Sequence, residues 1–153
     1  MKQIAVKKRS AYCWGASEGE DEYGGQDVND VKNLIDFIPH LEQRLNAIFQ
    51  KEKMHFLGGS RGGMQMFLAL VRFPELQTRV AKIVSLSGML DMCQCLATRP
   101  DMKTMFIKEL GLVENVNEDE EEWINERAPL LAADKIDPNL LILIIARRTI
   151  ECI

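Results

Sequence analysis

The stretch Phe56-Leu57-Gly58-Gly59-Ser60-Arg61-Gly62-Gly63-Met64 constrains this chain more than any other, because an apolar run ends in four glycines that bracket a single serine. Glycine at 58 and at 62 leaves the positions two before and two after Ser60 without a β-carbon, which allows a strand to turn sharply into a helix. Lys53 to Leu57 reads as a short strand, and Met64, Phe67, Leu68 and Val71 follow at helical spacing. A glycine-rich turn of this kind can serve packing alone or cradle a phosphate, but strand, turn and helix in this order favour a nucleophile elbow. The hydroxyl of Ser60 is then expected to project above the sheet edge from a strained backbone, at a cost of about 1–3 kcal/mol that the surroundings must enforce.

Composition limits what such an elbow can serve. A chain of 153 residues with 46% hydrophobic and 27% charged residues is expected to form a single globular domain with its own core, small for a serine hydrolase. The net charge of −4 and the lack of a long basic stripe give nucleic acid no electrostatic footprint. No stretch approaches the ~20 apolar residues of a membrane span, and basic Met1 to Ser10 lacks the apolar run of a signal peptide, so the expectation is a cytoplasmic protein without membrane partners. Cys13, Cys93, Cys95 and Cys152 are accordingly read as reduced thiols. Cys93-x-Cys95 has no second Cys/His pair nearby to complete a tetrahedral set, and neither metal nor cofactor is expected.

Taken in order, Ile4 to Tyr12 is weakly strand-like, and the acidic, glycine-rich Gly15 to Gly25 reads as a surface loop. A helix is expected to start near Asp27 as its cap, with Val28, Val31, Ile35 and Ile38 on one face. Pro39 should punctuate it, and Leu41, Leu45 and Ile48 continue the apolar stripe in a second helix or a kinked continuation. Beyond the elbow helix, Phe73-Pro74 stops the chain and Val80 to Leu86 reads as a buried strand, completing strand-helix-strand. Residues 89–137 read as a methionine-bearing helical insertion of two or three short helices, punctuated by Pro100, Gly111 and Pro129. Its Glu118 to Glu122 run is most simply a solvated helix start, since acidic groups favour that end of the dipole. Leu140 to Ile145 is apolar at every position, as befits a strand covered on both faces. Alternating strands and helices predict an α/β, mostly parallel sheet with helices on both faces.

These residues carry a family resemblance. Tyr12, the loop Ser17-Glu18-Gly19-Glu20-Asp21-Glu22-Tyr23-Gly24-Gly25, Asp27-Val28-Asn29-Asp30-Val31 and Gly58-Gly59-Ser60-Arg61-Gly62-Gly63 resemble the catalytic domain of the prolyl oligopeptidase (S9) serine peptidases. The likeness extends through Ser85-Leu86-Ser87-Gly88 and Glu126-Arg127-Ala128-Pro129-Leu130 to about Ile145, most of the chain. It implies an α/β-hydrolase fold and cleavage of peptide, amide or ester bonds through an acyl-enzyme at Ser60. The implied site has Ser60 as nucleophile, the backbone N–H of Arg61 as one oxyanion donor, and the hydroxyl of Tyr12 as a second. Its substrate would be a peptide or a small ester or amide.

One departure from that pattern matters more than the match. In α/β-hydrolases the acid and the histidine of the triad follow the serine in chain order, whereas the only histidines here, His40 and His55, both precede Ser60. The sequence after Ile145, Ala146-Arg147-Arg148-Thr149-Ile150-Glu151-Cys152-Ile153, does not resemble the glycine-containing aspartate loop expected there. Residues 1–153 are therefore read as one partial domain, incomplete at its C-terminal end and impaired as a catalyst. The alternatives are a non-catalytic binding or scaffold protein that keeps the pocket, and a half-domain completed by another chain. In each case the Leu140 to Ile145 strand is expected near a sheet edge, where long apolar strands invite self-association.

Overall fold

The computed structural model describes residues 22–50, 53–110 and 118–145. A 3-10 turn, Gln26–Val28, leads into α1 (Asn29–Leu45), and β1 (Met54–Gly59), α2 (Arg61–Arg72), a second 3-10 turn at Pro74–Thr78 and β2 (Val80–Leu86) follow. Then come α3 (Met92–Thr98), α4 (Pro100–Leu110) and α5 (Glu118–Asn125), and a 3-10 segment at Pro129–Lys135 returns the chain to β3 (Leu141–Ile145). The strand expected over Ile4 to Tyr12 and most of the acidic loop lie outside the described residues.

The three strands form one parallel sheet in the order β1-β2-β3, with Phe56 opposite Ile83 and Ile83 opposite Ile142. Parallel neighbours need a crossover, and α2 provides the one between β1 and β2 while packing on both strands. Its length follows from its sequence. Met64, Met66, Phe67, Leu68, Ala69 and Leu70 are all buried, and Phe73-Pro74 ends it because the residue before proline is pushed out of the helical region. Val28 and Ile35 close over α2 from the α1 side, as the expected apolar face requires.

Residues 89–137 do not stand off as a separate lid. Met92 of α3, Phe106 of α4, Ile124 of α5 and Ala128 are buried in the same core. Three short helices do form there, Pro100 opening α4 and the acidic run opening α5, with Glu121 and Glu122 exposed. Asp91 caps α3, its Oδ1 accepting the Gln94 N–H at 2.8 Å.

Four expectations are corrected. Pro39 does not end the first helix, which runs through it to Leu45 and closes on Asn46 at φ 48°. The proline ring is exposed, so the helix gives up a hydrogen bond but no core packing. The stripe beyond Pro39 is not buried either, since Leu45 and Ile48 are exposed. Helices cover both faces of the expected sheet, yet among the described residues only one face is covered. The other carries exposed His55, Leu57, Lys82 and Leu86. Finally, β3 lies at the sheet edge expected of it, pairing only with β2 among the described residues, but it is not buried as its apolar run predicts, since Ile144, on the covered face, remains 52% exposed.

The turn from β1 into α2 depends on two close approaches. A Cβ on Gly58 would lie 2.5 Å from the Gly62 carbonyl oxygen and 2.7 Å from the Gly63 nitrogen. One on Gly63 would lie 2.7 Å from the Gly88 Cα and 2.8 Å from Ser85 Oγ. At Gly62 it would meet nothing within 4 Å. Gly58→Ala and Gly63→Ala are therefore expected to cost about 2–4 kcal/mol each, since backbone atoms must move. Gly62→Ala should be neutral or stabilising by up to about 1 kcal/mol, as expected for alanine in a helix with room for it. Thermal melts of the three variants check the order.

Candidate active site

Ser60 lies between β1 and α2 with φ 49° and ψ −119°, a region that L-residues enter only when held there. What holds it is backbone bonding on both sides. The Ser60 N–H donates to the Leu86 carbonyl at 3.0 Å, while the Ser60 carbonyl accepts the N–H groups of Gly63 at 3.1 Å and Met89 at 3.2 Å. The serine is thus tied to the end of β2 and to the chain beyond it, and its side chain is exposed. Arg61 is the first residue of α2, where backbone N–H groups point out of the helix end and favour negative charge.

Ser60 borders a cleft of about 440 Å³. Ser87, Gly88, Met89 and Leu90 form one wall, and α3 and α4 form another with Asp91, Cys95, Arg99 and Met102. Ser87, like Ser60, is at φ 49°, so two constrained serines flank the mouth. Arg99 is engaged by Asp101 through two bonds of 2.9 and 2.7 Å, and the hydrogen bond to that carboxylate raises the guanidinium's pKa further. Next to the cleft is an apolar cavity of about 250 Å³, which shares Leu90, Leu130 and Ile144 with it.

Behind the elbow, Arg61 is drawn away from the cleft. Its Nη2 donates to Asp27 Oδ2 at 2.5 Å, and its guanidinium lies 4.6 Å from the centre of the Tyr23 ring. Tyr23 meets Phe106 edge-on at 4.6 Å, and Phe106 meets Trp123 at 6.2 Å, so this stack joins the elbow to α4 and α5. Trp123 is in turn covered by Arg127 at 3.8 Å. Arg127 is 5% exposed and donates to the carbonyls of Glu22 at 3.2 Å and Trp123 at 3.1 Å. Burial pushes its guanidinium down to about 10, against the pull of the Glu126 carboxylate.

Of the residues singled out in the sequence, the structure brings Ser60 and Arg61 together at the start of α2, and Tyr12 lies outside the described residues. Neither histidine lines the cleft. His40 is exposed and packs on Phe37 at 5.2 Å, and His55, the second residue of β1, lies on the exposed face of that strand, about 16 Å of extended chain from Ser60. Among the described residues no group of three or more His, Cys, Asp or Glu side chains could hold a metal ion, and no helix is long and apolar enough to cross a membrane. No family model, curated protein or solved structure matches the chain.

In the sequence Ser85 stood out only as part of the family resemblance and Cys95 only as a reduced thiol, and the cross-link at Asp27 left no signal. Ser85 is fully buried under Gly63 and Gly88, and its Oγ has no hydrogen-bond partner among the described residues. Cys95 carried no signal beyond its spacing from Cys93, and only the fold brings it to the cleft. Burial pushes its thiol up; Arg99 opposes the shift, while Asp101 and Asp91 add to it. Near pH 8, Cys95 should therefore react with iodoacetamide about 3–10-fold more slowly in the folded chain than in urea, since the thiolate is the reacting form. Peptide mass spectrometry after timed quenching reads this directly.

Proposed function

We propose that this chain is an α/β-hydrolase-type domain of the prolyl oligopeptidase (S9) kind, built to open peptide, amide or ester bonds through an acyl-enzyme at Ser60. The observation that carries the reading is the exposed Ser60 at φ 49°, at the start of a helix and on the wall of a cleft. In the proposed reaction Ser60 Oγ attacks the carbonyl carbon and its proton passes to a base. The carbonyl oxygen, now negative, turns toward the Arg61 N–H at the helix end, and the leaving amine or alcohol takes up a proton as the acyl-enzyme forms. Water then releases the acid and frees the serine. The apolar cavity beside the cleft suits a hydrophobic group on the acyl side of the scissile bond.

Neither histidine lines the cleft beside Ser60, so the expected reactivity is low. A fluorophosphonate probe should label the chain at Ser60, at least about a thousandfold more slowly than a serine hydrolase with an intact triad, and Ser60→Ala should abolish the signal. Labelling that survives Ser60→Ala would overturn the reading, as would its complete absence after exposure about ten-thousandfold longer than an intact serine hydrolase needs.

A second reading, a half-domain completed by another chain, is favoured by the exposed Ile144 on a strand paired on one side only among the described residues. An edge this apolar should drive association with increasing concentration, and Ile144→Lys should suppress it. Light scattering across a concentration series checks this. A monodisperse monomer with a cooperative melt would remove the reading.

A further inference from the structure

Asp27 stands where the sequence leads one to expect a helix cap, yet no side-chain capping bond is made at the 3-10 turn or at α1. Its carboxylate is directed elsewhere. Oδ2 accepts from Arg61 Nη2 at 2.5 Å and from Gln65 Nε2 at 2.7 Å, and Oδ1 accepts the Gly24 N–H at 2.9 Å. Arg61 and Gln65 are one turn apart on α2, so a single carboxylate grips the first turn of the elbow helix at two points. The Asp27 side chain is only 12% exposed, which sets this pair apart from the solvent-screened ion pairs of a protein surface. On its far side Arg61 is braced by the Tyr23 ring, itself set against buried Phe106.

We infer that Asp27 is a positioning residue for Ser60, acting through Arg61 and Gln65, a role that rests on the acyl-transfer reading above. It fixes the rotation of the first turn of α2 about its axis, and with it the direction of the Arg61 N–H beside the nucleophile. The β-strand side of the elbow is already tied by Ser60 and Leu86, so Asp27 supplies the restraint on the helical side. Asparagine cannot replace it. One of its two ends is an amide NH2, which would face the donors of Arg61, Gln65 or Gly24.

The test uses the full chain as wild type, Asp27→Asn, Arg61→Gln and the double variant, read by amide hydrogen exchange and by fluorophosphonate labelling. Asp27→Asn should speed exchange at Gly63 and Met64, whose N–H groups donate to the Ser60 carbonyl, about tenfold while leaving Leu68 to Leu70 within about twofold. The maximal labelling rate should fall by a similar factor, with the half-saturating probe concentration unchanged. The double variant should be no worse than the more affected single variant, because both substitutions cut the same link. Exchange that rises uniformly along α2, or single effects that simply add, would make Asp27 an ordinary stabilising residue and overturn the inference. A wild-type chain unlabelled at Ser60 would sink the acyl-transfer reading, while the exchange and double-variant results would still decide whether Asp27 holds the elbow. If Asp27→Asn fails to fold, Arg61→Gln leaves Asp27 bonded to Gln65 and Gly24 and carries the same exchange test.

Discussion

The first turn of α2 approaches the ends of β1 and β2 more closely than any residue with a β-carbon would permit, and the rest of the structure is arranged around that contact. Gly58 lies against the backbone of Gly62 and Gly63, and Gly63 lies against Gly88 and Ser85. With no side chains between them, helix and sheet meet backbone to backbone. The chain then has no room to relax Ser60 out of its constrained conformation. The same closeness lets the Ser60 N–H reach the Leu86 carbonyl and the Met89 N–H reach the Ser60 carbonyl, so the end of β2 and the elbow form one unit. A buried Ser85 hydroxyl without a partner among the described residues is consistent with space being the governing demand at that point, since a small side chain fits where a hydrogen bond does not.

Around this unit the polar and aromatic side chains form an outer brace. Asp27, Arg61 and Gln65 tie the loop before α1 to the first turn of α2, and the stack from Arg61 through Tyr23, Phe106 and Trp123 to Arg127 carries the connection into α4 and α5. Arg127 closes the circuit by donating to the Glu22 carbonyl, beside Tyr23. The helices that form the cleft wall therefore rest on the same framework as the serine. A displacement of α4 would be felt at Tyr23 and hence at Arg61, because packed aromatic groups have little slack.

Much of this framework was legible along the chain. The glycines around Ser60, the apolar periodicity of α2 and the Val80 to Leu86 strand are local patterns with local causes, and each appears where its residues place it. The acidic start of α5 and the stop at Phe73-Pro74 are similar cases. What misled were residues whose local signal competes with context. Pro39 is a helix breaker, but on an exposed surface it costs too little to interrupt a 17-residue helix. Asp27 has the chemistry of a cap, but its carboxylate finds stronger, charged and more buried donors 34 and 38 residues away. Gly62 fits the motif pattern while Gly63 does the packing, a distinction visible only once Ser85 and Gly88 are beside it.

By itself the sequence determined the order of elements, the α/β alternation and the strained serine at a strand-to-helix turn, because these follow from propensity and spacing over a few consecutive residues. Only the tertiary structure decided which glycines are indispensable, where the Asp27 carboxylate is directed and that Cys95 and Met102 share a cleft with Ser60. It also decided that one sheet face is open among the described residues. Each of these depends on groups far apart in the chain brought within a few ångströms, and no periodicity or composition encodes such a distance.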